Sequence, residues 1–370
     1  MYRALAKYCL AMALLGLVIS CSKKSIFPTI VATMPGSMQI SLTGTHLEPT
    51  RLPTGLDNTP TPAQTPSPTS LLPIQNPPTP SIILPGLIVF YSERDGNAEI
   101  YLMNADGSDQ RRLTKNQTNE FAPSWSPDGK HIVIETDRDD LNPVECFPNC
   151  IWKLYRMNTD GSNWQQLMNL PGSESHADWS PNGEKIVFDA DRNSDGKGEI
   201  YILNARGGMP IVVLADNYDN RFPVWSPDGK IIAFSSDRDG NPDIFTVDIT
   251  SGQFHKVVNT GLNDYLPDWS PNGKQIVFFA TKWPNQKQDI FLVNSDGSNL
   301  IRLTNTPSIV DEDPRWSPDG NKIVFQSDRD GNFDIYIMNP DGSNQQNITH
   351  NPAQDYEPNW WMSEQELLQP

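Results

Sequence analysis

Carboxylate side chains recur five residues before a repeated tryptophan, a spacing that could assemble a cation-binding ring. The tryptophans are Trp125, Trp179, Trp225, Trp269, Trp316 and Trp360, and the residues five positions earlier are Glu120, Glu174, Asn220, Asp264, Asp311 and Asp355. If the fold brings the five acids around one opening, they would attract a metal cation or a basic side chain. The alternative is a structural role, in which each carboxylate caps the turn into the tryptophan strand.

A second group of charged residues lies just after these positions and does not recur. Its members are His176, Arg221, Asp313 and Glu357, and we expect them to set the selectivity of the same opening. The sequence has no Gly-x-Ser-x-Gly nucleophile motif, and His176 is the one histidine expected near the opening. We therefore predict no catalytic residues and a protein that is not an enzyme. The enzymatic alternative is a pair of these carboxylates acting as acid and base on a glycan.

One segment looks like the start of an EF-hand calcium loop. Oxygen ligands stand at its positions 1, 3, 5 and 9, which are Asp191, Asn193, Asp195 and Glu199. Position 12 is Ile202, where such a loop has a bidentate glutamate. The two interpretations are a calcium site and a structural turn lengthened by two residues. No other cofactor is expected.

The N-terminus carries the features of an exported protein. Residues 1–20 combine Arg3 and Lys7 with an apolar run, which predicts a signal peptide. The following Cys21 completes a sequence that resembles a bacterial lipobox, and this resemblance implies cleavage before Cys21 and its lipidation. Residues 21–85 form a Pro/Thr/Ser-rich tether with 13 prolines after Cys21. In an oxidising compartment, Cys146 and Cys150 are expected to form a disulfide.

The elements that must position these residues follow from an internal repeat. Trp-Ser-Pro-Asp/Asn-Gly begins at each of the first five tryptophans, and the intervals between the six are 54, 46, 44, 47 and 44 residues. A period of about 40–45 residues suits a four-stranded propeller blade. Around Trp225, short β-branched and aromatic runs alternate with Gly, Asn and Asp turns, which predicts strands A to D in each unit.

The two ends of the repeat array predict ring closure. The first unit begins at Leu87 with a B strand, and residues 357–361 form a final A strand with nothing after it. We therefore predict an all-β, six-bladed propeller over residues 86–362 that the C-terminal strand closes by joining blade one. Residues 363–370 would be a short tail.

Loops on one face of this disc carry the irregularities. Neighbouring strands are antiparallel, so the D–A and B–C loops share a face. Insertions at 139–152 and 191–199 and the unusual segment around Trp283 all fall in B–C loops. Because binding residues concentrate in loops on a rigid scaffold, we expect this face to bind the partner.

Charge limits the class of partner. The net charge is −17, and removing residues 1–85 takes away five basic and two acidic residues, which leaves −20. Such a surface repels nucleic acid and anionic headgroups. We therefore expect a basic protein or peptide partner, no nucleic acid, membrane contact only through the lipid anchor, and a monomer.

The repeat WSPDGKxIxFxSDRDGNxDIYxMNxDGS, clearest over residues 225–249 and 316–343, resembles that of TolB-like propellers. This resemblance covers residues 86–361 and implies a location in the bacterial envelope, periplasmic or at the cell surface, and a partner bound at the channel mouth. The α/β domain that precedes the propeller in TolB engages the Tol membrane complex, and its place is taken here by the anchor and tether, which puts a role in the Tol-Pal system in doubt. A structural or assembly role in the envelope remains a further alternative.

Overall fold

The fold was analysed in a computed structural model that describes residues 85–140, 150–193, 195–281 and 287–368. The predicted signal peptide, Cys21 and nearly all of the tether lie outside these residues, as do Cys146 and Trp283. The described chain forms strands and one short helix, α1 (Glu364–Leu367). No helix within the described ranges is long and apolar enough to cross a lipid bilayer.

The strands form six sheets of four antiparallel strands each. Blade one contains β24, β1, β2 and β3, and the other blades take four consecutive strands, from β4–β7 to β20–β23. The strands are β1 (Leu87–Ser92), β2 (Glu99–Asn104), β3 (Arg111–Arg112), β4 (Glu120–Trp125), β5 (His131–Thr136), β6 (Lys153–Asn158), β7 (Gln165–Gln166), β8 (Ser173–Trp179), β9 (Lys185–Asp191), β10 (Glu199–Asn204), β11 (Ile211–Leu214), β12 (Asn220–Trp225), β13 (Ile231–Ser236), β14 (Asp243–Asp248), β15 (Phe254–Val258), β16 (Asn263–Trp269), β17 (Gln275–Thr281), β18 (Gln288–Asn294), β19 (Ile301–Arg302), β20 (Asp311–Trp316), β21 (Ile323–Ser327), β22 (Asp334–Met338), β23 (Gln346–Asn347) and β24 (Asp355–Trp361).

The predicted six-bladed propeller and its closure are confirmed. The last strand, β24, pairs antiparallel with β1, from Leu87 opposite Trp361 to Ser92 opposite Asp355. Beyond β24, the Glu366 side chain of α1 accepts a hydrogen bond from the Gly86 backbone at 3.0 Å. The two ends of the propeller are therefore joined by a strand pair and by a cap, and β24 gives blade one the same four strands as the other blades.

Local turn chemistry builds each blade. In blade four, Ser226 Oγ accepts from the Ile231 backbone at 2.9 Å and donates to Asp228, and Gly229 takes φ of 69°. Such a left-handed position costs glycine little. The apolar side chains of each blade stack against the neighbouring blade. For example, Trp179 and Phe188 of blade three lie in one hydrophobic cluster with Leu154 of blade two. The hydrophobic core is therefore divided among the interfaces between blades.

A bulge in every A strand shapes the channel wall. The residue three before the tryptophan takes a positive φ of 47–59° in all six blades, and the ladder register shifts there. Five of these residues precede a proline, which lacks the N–H that a paired strand would need. Since A is the innermost edge strand, the proline costs no ladder bond, and the bulge can face the channel.

Candidate functional site

The bulge residues converge on a cavity in the central channel. Its lining includes His176, Leu266, Asp313, Arg315 and Glu357, with Ala122 and Pro358 beside them. These side chains come from five A strands. At the equivalent bulge position, these five blades present Ala122, His176, Leu266, Asp313 and Glu357, which differ in charge and polarity. The cavity has a volume of about 30 Å3, which holds about two water molecules at roughly 10–15 Å3 each.

Carboxylates outnumber cations at the constriction. The Arg315 guanidinium interacts with four acids, Asp178, Asp268, Asp313 and Glu357. Its Nε lies 3.6 Å from Asp313 Oδ1, and its Nη1 lies 3.8 Å from Asp268 Oδ1. Because one arginine cannot neutralise four carboxylates, this part of the channel favours a positively charged group.

Burial alters the protonation of these acids. It raises the pKa of Asp178 to about 6 and that of Asp268 to about 7, although each carboxylate also accepts a backbone hydrogen bond from a tryptophan of the following blade. Burial also raises the pKa of Asp313. The negative charge of the channel therefore increases as the pH rises through the neutral range.

His176 is held in the wall by an aspartate of its own blade. Its Nδ1 lies 2.8 Å from Asp189 Oδ1, which also accepts from the Phe222 backbone at 3.0 Å. Burial would raise the pKa of Asp189, but His176 and Arg221 hold it below its usual range. The imidazole ring packs edge-on against Phe222 at 4.2 Å. The contact with Asp189 orients His176, and Phe222 places an aromatic ring beside this histidine.

An aromatic ladder runs across blades six, one and two. Phe333, Tyr356, Tyr91, Phe121 and Trp152 follow one another with ring centroids 4.7–5.1 Å apart. Phe121 and Trp152 are half-buried, whereas the other three are buried. Aromatic rings at the edge of a cleft bury large areas at a low entropic cost. Phe121 and Trp152 are therefore the rings of this aromatic ladder that a partner can contact.

The structure corrects the expected ring of acids at the mouth. Its five acids are fully buried at 0% exposure, so a partner at the surface cannot reach them. Two accept hydrogen bonds from nearby side chains, Glu120 from Asn116 and Thr118, and Asp264 from Thr260. The structural alternative therefore describes their surroundings better than an exposed binding ring does.

Arginines of the B–C turns pair with three of the five acids. Arg94 binds both carboxylate oxygens of Asp355, at 2.9 and 3.0 Å, and Arg329 binds Asp311 at 2.6 Å. Arg192 lies 3.6 Å from Glu174. The guanidiniums also stack on strand aromatics, as Arg94 does on Tyr101 at 4.4 Å. We call each such pair a blade clamp, since it ties the B–C turn to the start of the A strand.

The other predicted residues lie apart from the constriction. Arg221 is partly exposed and pairs with Asp219 at 2.6 Å and Asp189 at 3.6 Å. Cys150 is disulfide-bonded, while Cys146 lies outside the described residues. Trp283 also lies outside them, and so does Cys21.

The oxygens of the predicted calcium loop already accept protein hydrogen bonds. Asp191, Asn193, Asp195 and Glu199 each accept from a backbone N–H of the same loop at 2.9–3.1 Å. Among the described residues, no group of three or more His, Cys, Asp or Glu side chains has a geometry suited to a metal ion. Calcium binding stays a prediction.

Sequence reasoning missed much of the channel wall. Asp178, Asp268 and Arg315 stand one residue before their tryptophans, where the units differ from one another. Glu135 and Asp189 occupy the fifth position of their B strands and accept backbone N–H groups of bulge residues in the next blade, those of His176 and Phe222. The signal available in the sequence was that residue type at these positions varies between units. The bulge in the A strand, which places these positions at the channel, is seen only in the structure.

Comparisons with known proteins agree with this architecture. The family described as the TolB beta propeller domain matches residues 153–285 and 265–369. A protein TolB homolog of Chlorobium luteolum is 32% identical over 45% of this chain and 35% of its own length. An uncharacterized protein of Agrobacterium fabrum is 30% identical over 50% of this chain and 58% of its own length. The alignments thus span about a third to three fifths of these relatives. The crystal structure of TolB from Acinetobacter baumannii superimposes with a TM-score of 0.63 at 22% identity, covering 75% of this chain and 67% of that one.

Proposed function

The chain belongs to the TolB β-propeller domain family, and on that premise we propose that it is a non-catalytic binding module. Its ligand is a basic protein or peptide segment that docks at the channel mouth on the D–A and B–C loop face. The observation that carries the proposal is the channel constriction, where four carboxylates surround Arg315.

The size of the constriction supports docking at the mouth. A cavity of about 30 Å3 has room for about two waters and not for a peptide backbone or a sugar ring. A partner therefore contacts the entrance, with a cationic group directed toward Asp313 and Glu357 and apolar groups against the aromatic ladder. The same limit argues against the glycan-cleaving alternative, because a sugar ring does not fit inside the cavity that Asp313 and Glu357 line.

Charge neutralisation inside the channel tests the proposal. The double variant Asp313→Asn/Glu357→Gln removes two channel charges, and we expect about tenfold or greater loss of capture of a basic partner from an envelope extract, with the difference shrinking as salt is added. The matched control is Asp109→Asn/Glu184→Gln, which removes the same charge from exposed positions on the opposite face. Asparagine already occupies the position of Asp109 in three other blades.

Equal capture by the channel variant and the control at low salt would contradict docking at this site. Recovery of a glycan that the protein then degrades would favour the enzymatic alternative. Capture of several envelope components, in the same proportions by the channel variant and by the unmutated protein, would favour an assembly role.

We propose further that the protein is exported and held at a membrane through lipidated Cys21, with residues 21–85 as the tether and the propeller acting as a monomer. The sequence features that support this are the basic and apolar halves of residues 1–20 and the lipobox-like sequence before Cys21. Residues 22–85 would reach roughly 200 Å if fully extended as polyproline, far enough for the channel mouth to meet a partner away from the bilayer.

A further inference from the structure

Blade three departs from the other blades along its outer edge. At the two equivalent positions where every outer strand pairs with strand C, the residues are Arg111 and Arg112, Gln165 and Gln166, Ile211 and Val212, His255 and Lys256, Ile301 and Arg302, and Gln346 and Asn347. Among these described strands, only β11 has no polar residue at either position. Charged or polar side chains on an edge strand normally discourage pairing with another chain.

The first two side chains of β11 are exposed, whereas Val213 is half-buried and Leu214 is buried. Ile211 is 70% exposed and Val212 is 53%, and Met209 just before the strand is 77% exposed. In blade four, the equivalent of Val212 is Lys256, whose Nζ lies 2.6 Å from the buried carboxylate of Asp243. Blade three has lost this ion pair and presents an uncharged run from residue 207 to 215. An exposed β-branched edge with no charge is a ready template for an added strand.

The turn before β11 has also reversed its charge. Four other C–D turns carry an aspartate, at Asp106, Asp160, Asp296 and Asp341, where blade three has Arg206. Each of those aspartates accepts hydrogen bonds from a serine two residues later. The Arg206 side chain makes no hydrogen bond or ion pair with any described residue, so its charge is available to a ligand.

We propose that β11 is a docking site for an extended peptide segment of a partner protein, which adds a fifth strand to blade three. The segment runs antiparallel to β11, carries apolar β-branched residues at alternate positions, and has a carboxylate at its C-terminal end that pairs with Arg206. Pro210 immediately precedes β11 and has no N–H, so main-chain pairing is confined to Ile211–Leu214.

The available area and charge favour a peptide over a second copy of this chain. An edge of four residues buries far less than the roughly 1,200–2,000 Å2 of a stable protein interface. Two propellers that each carry a net charge of −20 would also repel one another outside the uncharged seam. A short segment needs only the edge itself, and main-chain pairing of this kind gives moderate affinity.

Fluorescence anisotropy with labelled ten-residue peptides tests the site in the full chain. The probe alternates Val and Thr and ends in Glu, and a second probe ends in Lys. We expect the Glu probe to bind, Val212→Lys to weaken it at least tenfold, and Arg206→Asp to reverse the preference between the two probes. The channel variant Asp313→Asn/Glu357→Gln should bind the Glu probe normally, which separates this site from the proposed channel function.

Hydrogen exchange of the unmutated protein provides a readout that does not depend on any variant folding. Bound Glu probe should slow exchange of the amides in residues 211–214 and leave the outer strand of blade four unchanged. Binding that Val212→Lys does not affect, or no binding of either probe, would overturn the proposal. A concentration-dependent dimer that Val212→Lys dissolves would assign the edge to a second copy and would overturn it equally.

Discussion

Two aspartates at the same repeat position should respond to neutralisation with opposite signs. Asp264 and Asp311 each stand five residues before their tryptophan, and both are fully buried. Asp311 is clamped by Arg329 at 2.6 Å. Asp264 accepts hydrogen bonds from the Thr260 hydroxyl at 2.5 Å and the Thr260 backbone at 3.2 Å. Burial raises the pKa of Asp264 to about 7.

The magnitude follows from this difference. Raising the pKa of an aspartate from about 4 to about 7 corresponds to about 4 kcal/mol of penalty for the ionised form. Asp264→Asn removes that penalty but keeps only one accepting oxygen for the two Thr260 donors, and the lost hydrogen bond offsets about 1 kcal/mol. We therefore expect a gain of about 2–3 kcal/mol in the free energy of unfolding at pH 8. Asp311→Asn leaves Arg329 without its carboxylate, and we expect a loss of about 2–3 kcal/mol.

The gain at Asp264 should depend on pH. Because its pKa is higher in the folded state, the unfolded chain releases its proton first, and stability falls as the pH rises from about 4 to about 7. Below about pH 4 the carboxyl is protonated in both states, so Asp264→Asn and the unmutated protein should have nearly equal stability. Above about pH 7 the difference should be full and constant.

Thermal and urea denaturation at pH 4.5 and pH 8 measure both effects. At about 2–3 °C per kcal/mol for a domain of this size, Asp264→Asn should melt about 4–9 °C higher at pH 8, and Asp311→Asn should melt lower. If Asp264→Asn destabilises the protein at pH 8 as much as Asp311→Asn does, Asp264 is compensated and the reasoning from burial fails.

Three further perturbations address closure, metal binding and anchoring. Arg94→Ala breaks the two-bond clamp between the B–C turn of blade one and Asp355 at the start of β24. This substitution should lower the free energy of unfolding, measured in urea, by about 2–4 kcal/mol. The control Arg111→Ala, at an exposed position, should lower it by less than about 0.5 kcal/mol. Calcium at the Asp191 loop should raise the melting temperature in a manner reversed by chelation and abolished by Asp195→Asn; a melting temperature indifferent to millimolar calcium would exclude the site. Cys21→Ser should move the protein from the membrane fraction to the soluble fraction, and continued sedimentation with membranes would contradict lipidation.

The channel site was only partly predictable because its residues come from strands 44–54 positions apart. His176, Asp313 and Glu357 were recognised as departures from the repeat, and they do line the cavity. Asp178, Asp268 and Arg315 also depart from it, but no local pattern indicates which side of an innermost strand faces the axis. The bulge before the tryptophan sets this direction, and its positive φ at a residue such as Leu266 is not evident from residue type.

The sequence by itself determined the architecture, since each Ser-Pro-Asp-Gly turn and each short apolar strand is specified by residues next to one another, and six copies with a divided first unit require closure. Only the tertiary structure decided what the recurrent acid does. Asp355 meets Arg94 from a position 261 residues away, and a buried carboxylate is stabilised by whichever cation the fold brings to it. Recurrence therefore revealed that the acid matters to five of the six blades. The neighbouring side chains determined that all five acids are buried rather than displayed at the mouth, and that three of them are held in arginine clamps.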